Sequence, residues 1–174
     1  MTKAKFFLVY AFWLLTFAGS HKVTAEELVT VDFIRFAFTK NLSEVAAAKL
    51  ALKTSNSPAV QAYARYRLDE QAALLDSLES LAQQEGVMLE RPPQAAYVFI
   101  RKGETFDTAY ASKRTAELKR MVRVVRKAML TENPHLRRYA EQTLPLLMHH
   151  WYKAQQLVRA LNNPAHTDSL LATR

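Results

Sequence analysis

Ser57-Pro58-Ala59-Val60-Gln61-Ala62-Tyr63-Ala64 is echoed by Asn133-Pro134-His135-Leu136-Arg137-Arg138-Tyr139-Ala140. Each stretch opens on a residue whose side chain can accept a hydrogen bond from the free N–H groups of a first helical turn. Proline follows, at the position where its missing N–H costs nothing. An apolar residue and a Tyr-Ala pair then recur at the same offsets. Both stretches therefore start helices, and a long helical pattern precedes each. The arrangement expected is all-α: two pseudo-repeated helical hairpins packed as one four-helix bundle, whose core can carry a metal or cofactor site built from inward side chains.

Composition supports this. A chain of 174 residues suits one domain; 49% of it is hydrophobic, with three glycines, as a well-buried helical protein requires. There is no cysteine, which excludes disulfides, thiolate metal ligands, a cysteine nucleophile and lipid attachment through cysteine. No phosphate-binding glycine loop, nucleophile elbow or dinucleotide fingerprint occurs.

The N-terminus reads as a signal peptide over residues 1–25. Lys3 and Lys5 precede an apolar run from Phe6 to Ala18, and Val23-Thr24-Ala25 places small residues before a cut that would leave Glu26 first. The run is shorter than the roughly 20 residues of a spanning helix. The mature chain is then periplasmic or otherwise exported; the alternatives for the segment are an uncleaved anchor and a buried helix. Removing the segment takes away Lys3, Lys5 and Lys22 and no acidic residue, so the net charge falls from +8 to +5.

The expected bundle covers residues 26–161, with a flexible tail over 162–174. The first helix is expected from Asp32 to Thr54, with Phe33, Phe36, Ala37, Val45, Ala48 and Leu52 at helical spacing. The second runs from Pro58 to Glu85, buries Val60, Ala64, Leu68, Leu75, Leu78 and Ala82, and stops at Gly86. A long connection through Arg91-Pro92-Pro93 to Gly103 includes a short helix near Ala95 to Ile100. The third helix runs from Phe106 or Asp107 to Leu130, with Tyr110, Leu118, Met121, Val122, Val125 and Met129 inward. The fourth runs from Pro134 to Leu161, with Pro145 kinking it.

Three polar residues interrupt the apolar stripes near mid-helix: Glu44, Gln71 and His150. A lone carboxylate in a core costs several kcal/mol unless paired, protonated or metal-bound. His150 is the partner expected for Glu44. Two readings stay open: a residual metal or acid–base site, or a polar network that sets helix register. Glu132-x-x-His135 imitates di-iron spacing, but Pro134 lies between the pair and they share no helical face. His149 and His150 are about 100° apart on a helix, so His149 is expected to be exposed.

A basic stripe marks the third helix: Lys113, Lys119, Arg120, Arg123, Arg126 and Lys127. It reads either as a solvated face or as a contact for an anionic envelope component such as lipid or polysaccharide. No nucleic acid is expected, since no recognised binding module is present.

Four stretches in order carry a family resemblance: Glu44-Val45; Val60-x-x-Tyr63-Ala64; Gly103-x-x-Phe106-Asp107-x-x-Tyr110; and Tyr139-Ala140-x-x-x-Leu144-Pro145-x-Leu147-x-x-His150. From about Phe33 to Leu157 the chain resembles the domain of unknown function 4142 family, ferritin-like helical proteins exported by bacteria. The resemblance implies a glutamate on the first helix and a histidine on each of the other three, a set like a buried metal site. On that pattern Glu44 and His150 are kept, Gln71 (beside Glu70) stands at the second position, and Leu118 (beside Glu117) at the third. Leucine cannot bind a metal and glutamine binds zinc or iron poorly. The expectation is thus a non-enzymatic protein with a binding or structural role in the bacterial envelope, no cofactor, and a degenerate site at Glu44, His150 and Gln71 or Glu70. The alternative is a single divalent metal, iron or zinc, held by Glu44 and His150, with weak ferroxidase-like chemistry.

Overall fold

The computed structural model describes residues 25–91 and 104–163. The expected signal peptide over 1–25 apart from Ala25, the expected short helix near 95–100, and the expected tail over 162–174 apart from Asn162 and Asn163 lie outside those residues. Four helices account for most of the described chain: α1, Ala25–Thr54; α2, Pro58–Gln84; α3, Phe106–Ala128; α4, Pro134–Asn162. No described helix is long and apolar enough to cross a membrane.

The repeated caps behave as their chemistry dictates. Ser57 accepts from the Val60 N–H at 3.5 Å. Asn133 accepts from both the His135 and Leu136 N–H groups at 2.9 Å. Helix α2 ends where Gly86 adopts φ +65°. There Val87 N–H reaches Ala82 O at 2.8 Å and Gly86 N–H reaches Gln83 O at 3.3 Å, the pair of bonds that a left-handed residue past a helix end makes available. Thr105 and Thr108 cap one another's backbone at the start of α3. Helix α4 continues through Pro145. Proline has no N–H to give the Glu141 carbonyl, and Pro145 is exposed, where water can serve that carbonyl instead.

Helix α1 starts at Ala25, not at Asp32 as the spacing predicts. The extra turns are anchored at Thr30, which is buried, and at Glu26. The Glu26 carboxylate accepts from the Thr131 hydroxyl and from the Glu132 and Asn133 N–H groups, at 3.1 and 3.4 Å for the latter two. At the same end Glu85 accepts from Asn133 Nδ2 at 2.6 Å and lies 2.7 Å from His135 Nδ1. One end of the bundle thus gathers the start of α1, the end of α2, the end of α3 and the start of α4. Helices α2 and α3 therefore run in the same direction, a connectivity that one long crossover permits.

The hairpins α1–α2 and α3–α4 pack most closely, α2 and α4 join them, and α1 and α3 touch far less. The core holds Ile34, Phe38, Val60, Leu78, Leu136 and Tyr110 among its most buried side chains. On α2 the buried face differs from the apolar count by one position: Arg67 and Leu74 point inward, while Leu68 and Leu75 are half-buried. The apolar residues alone favour 64–68–75, but the packed face runs 60–64–67–71–74–78 and includes a charged residue.

The two caps should differ in worth. Ser57→Ala removes one long bond and is expected to cost about 0.5–1 kcal/mol; Asn133→Ala removes two short bonds and the tie to Glu85 and should cost about 1–2 kcal/mol. Urea unfolding followed by far-UV circular dichroism measures both.

Candidate functional site

Seven polar side chains meet midway along the helices. Helical spacing pairs them on their own elements: Asn41 and Glu44 on α1, Arg67 and Gln71 on α2, Arg114 and Glu117 on α3. His150 comes from α4. Arg67, Arg114, Gln71 and His150 are 2%, 3%, 1% and 0% exposed, so two full positive charges stand inside the bundle.

Their partners account for most of the donors. Arg114 donates through Nη1 to Glu44 Oε1 at 2.5 Å and pairs through Nη2 with Glu117 Oε2 at 2.9 Å. Arg67 donates through Nη2 to Gln71 Oε1 at 3.0 Å and through Nη1 to His150 Nδ1. Gln71 Nε2 donates to Asn41 Oδ1, and Asn41 Nδ2 donates to the Ala37 carbonyl at 2.8 Å. The result is a directed relay from Arg67 through two amides to the α1 backbone. All four helices are linked at this level: α2 to α1 and α4 through Arg67 and Gln71, and α3 to α1 through Arg114.

A guanidinium can only donate, so the Arg67 bond fixes His150 as the neutral tautomer with its proton on Nε2. That Nε2 has no hydrogen-bond partner, and Glu70 Oε2 lies 3.9 Å away. Burial, then the Arg67 charge and His149, push the His150 pKa down to about 3. Burial pushes the Glu44 carboxyl above the usual carboxylate range, and Arg114 and Arg67 pull it back. Burial also works against the charge on Arg114, but Glu44 and Glu117 outweigh it and raise its pKa. The two directions conflict, one favouring a protonated acid and the other an ionised pair. Arginine does not release its proton in proteins, so we take the pair as ionised near neutral pH.

The expected site is therefore rearranged. Glu44 pairs with Arg114, not with His150. Gln71 and His150 do share one level, joined by Arg67. Glu70 is 40% exposed and does not take over the Gln71 position. Arg67, Arg114 and Asn41 are absent from the sequence-based site because charge, or for Asn41 polarity, argues against burial. A signal was present: Arg114 lies four residues from Tyr110 and four from Leu118, on the stripe those residues define. Arg67 likewise lies on the line from Val60 to Gln71. His149 is exposed, and His135 pairs with Glu85, away from Glu132.

These donors do not fit a resident metal ion. His150 Nδ1 is engaged by a cation, Glu44 is held by a second cation, and two guanidiniums supply the positive charge a metal would bring. Among the described residues no three His, Asp or Glu side chains gather as a metal-holding group. On the surface, Lys119, Arg120, Arg123, Arg126 and Lys127 of α3 are exposed and Lys113 is half-buried. Arg120 lies over the Phe36 ring of α1 at 5.9 Å.

The model of the domain of unknown function family DUF4142 matches residues 17–157, and the chain belongs to that family. No curated protein and no solved structure matches it.

Two predictions follow from the charges. His150 is neutral when folded and titrates near its ordinary pKa of about 6.5 when unfolded. Between those values the unfolded chain binds more protons, so this residue's contribution to stability is full above about pH 6.5 and is lost as pH falls toward about 3. His150→Gln should flatten the decline in unfolding free energy by about 1.4 kcal/mol per pH unit between pH 6 and 4, measured by urea unfolding across that range. For the ion pair, Arg114→Met should cost about 3–5 kcal/mol, whereas Arg114→Met combined with Glu44→Leu should be clearly less destabilised than the single variant; a double-mutant cycle reads the coupling.

Proposed function

We propose that this chain is an exported, non-enzymatic, ferritin-like bundle with a binding or structural role in the bacterial envelope. Its core is held by an arginine network in place of a metal. The observation that carries this reading is the engagement of the two best metal donors: Glu44 by Arg114 and His150 by Arg67. A carboxylate already saturated by a guanidinium, and an imidazole facing one, are poor starting points for binding a dication. Support for export comes from the basic and apolar N-terminal segment ending at Val23-Thr24-Ala25. Helix α1 begins at Ala25, so a cut there would leave Glu26 in place to hold the α3–α4 turn.

A second reading assigns binding to the outer face of α3. The exposed row of Lys119, Arg120, Arg123, Arg126 and Lys127 favours it, since five cations on one helix create a field that attracts anionic surfaces. Such contact is salt-sensitive. Charge reversal at Arg123 and Lys127, both exposed, should weaken retention on anionic vesicles and leave the fold intact.

The proposal is tested on protein recovered from an exporting bacterium. N-terminal sequencing should begin at Glu26 in the periplasmic or envelope fraction. Elemental analysis after tag-free purification should find no stoichiometric metal. One metal per chain, lost in His150→Ala, would overturn the core assignment, and retention in the cytoplasm with an intact N-terminus would overturn export.

A further inference from the structure

Beside the arginine layer lies a cavity of about 70 Å³ bounded by all four helices. Its polar end is formed by Asn41, Glu44 and Arg67, and its walls by Leu74, Leu118 and Leu147. Lys40, Arg120 and Phe36 line it on the side where α1 and α3 meet, an interface much thinner than those within the two hairpins. Phe36 carries a cation from each helix there: Lys40 Nζ and the Arg120 guanidinium both lie 5.9 Å from its ring centre. Arg120 is exposed, so this side of the lining reaches the surface.

The charge of the lining is uneven. Glu44 and Glu117 are both engaged by Arg114. Arg67 has no carboxylate within ion-pair distance among the described residues; its partners are a neutral imidazole and an amide. Its Nε–H is buried and has no partner at all. Glu44 is near enough to feel the Arg67 charge but is bonded to Arg114, so Arg67 has no ion-pair contact of its own, and a buried donor without an acceptor is costly. With Lys40 and Arg120 at the entrance, the lining carries three cations against two carboxylates that are already taken. What is missing on chemical grounds is an anion. The leucine walls ask that it carry an apolar tail.

Size narrows the class. A water needs about 10–15 Å³ of such volume, so the cavity has room for about five or six non-hydrogen atoms. We propose that it is a binding site for a short-chain organic carboxylate. The head group meets Arg67, and the alkyl tail lies on Leu74, Leu118 and Leu147. Entry is through the α1–α3 seam, past Lys40 and Arg120. This inference is independent of export and of the outer basic face.

The test uses the protein as the cell processes it, with butyrate as the probe and butanol as its uncharged counterpart, at constant ionic strength. Thermal unfolding and methyl NMR shifts of Leu118 and Leu147 are followed as each is added. Butyrate should stabilise the protein in a saturable way and shift both leucines. Butanol should bind about tenfold more weakly or worse, the difference one charge-assisted hydrogen bond makes. Arg67→Met should lose the preference for butyrate. Because that variant removes a core link and can fail to fold, two others stand beside it. Leu118→Phe fills the cavity and should abolish the response, and Lys40→Gln with Arg120→Gln should weaken it. Equal responses to butyrate and butanol, no response to butyrate, or an undiminished response in Leu118→Phe would each overturn the proposal.

Discussion

Two buried guanidiniums set the terms for the rest of this bundle. Moving a charge that size out of water costs several kcal/mol even after relaxation. The surrounding residues are chosen to offset that cost. Arg114 has two carboxylates, one on its own helix and one on α1. Arg67 has the carbonyl oxygen of Gln71 and the lone pair of His150. None of these partners is interchangeable with an apolar residue while its arginine remains, because one deletion leaves an uncompensated charge. The layer thus ties the four helices at one height, and sliding any helix by a turn would break it. Its cost in stability is offset by a single register.

The apolar core and the end clamp are subordinate to that layer but complete it. Phe33, Ile34, Phe38, Leu78, Val125 and Leu136 pack without polar interruption. At the end where α4 begins, Glu26, Glu85 and Asn133 join three elements through charge-assisted bonds. The long α1 is needed for this: only with its early start does Glu26 reach the α3–α4 turn. Tyr63 and Tyr110 pack edge to face, 6.3 Å apart, beside the arginines. Burial holds their hydroxyls protonated, above the ordinary phenol range. Each protonated hydroxyl can donate or accept, and neither has a hydrogen-bond partner among the described residues.

Much of this architecture was legible in the residues because it is local. Ser57-Pro58 and Asn133-Pro134 are helix starts for reasons confined to one turn, and Gly86 is a stop because only glycine takes its backbone angle readily. Glu44, Gln71 and His150 stood out as polar interruptions of apolar stripes. Their true partners did not, since pairing is a tertiary matter. Arg67 and Arg114 do not enter the sequence-based site, although their spacing places them on buried faces. The one-position error on α2 has the same origin: Leu68 and Leu75 look like core until Arg67 is allowed inside. Likewise, Glu26 and Glu27 favour the first turn of a helix, but beside Val23-Thr24-Ala25 the sequence presents Glu26 only as the residue after a cut.

The central claim is that a guanidinium, and not a metal ion, faces His150. Nitrogen NMR of histidine-labelled protein tests it most directly, recorded near neutral pH before and after addition of zinc or ferrous iron. The account predicts a neutral ring with its proton on Nε2, an Nδ1 that accepts a hydrogen bond, and no change on adding metal. A protonated ring, the opposite tautomer, or a metal-dependent shift of either His150 nitrogen would contradict it.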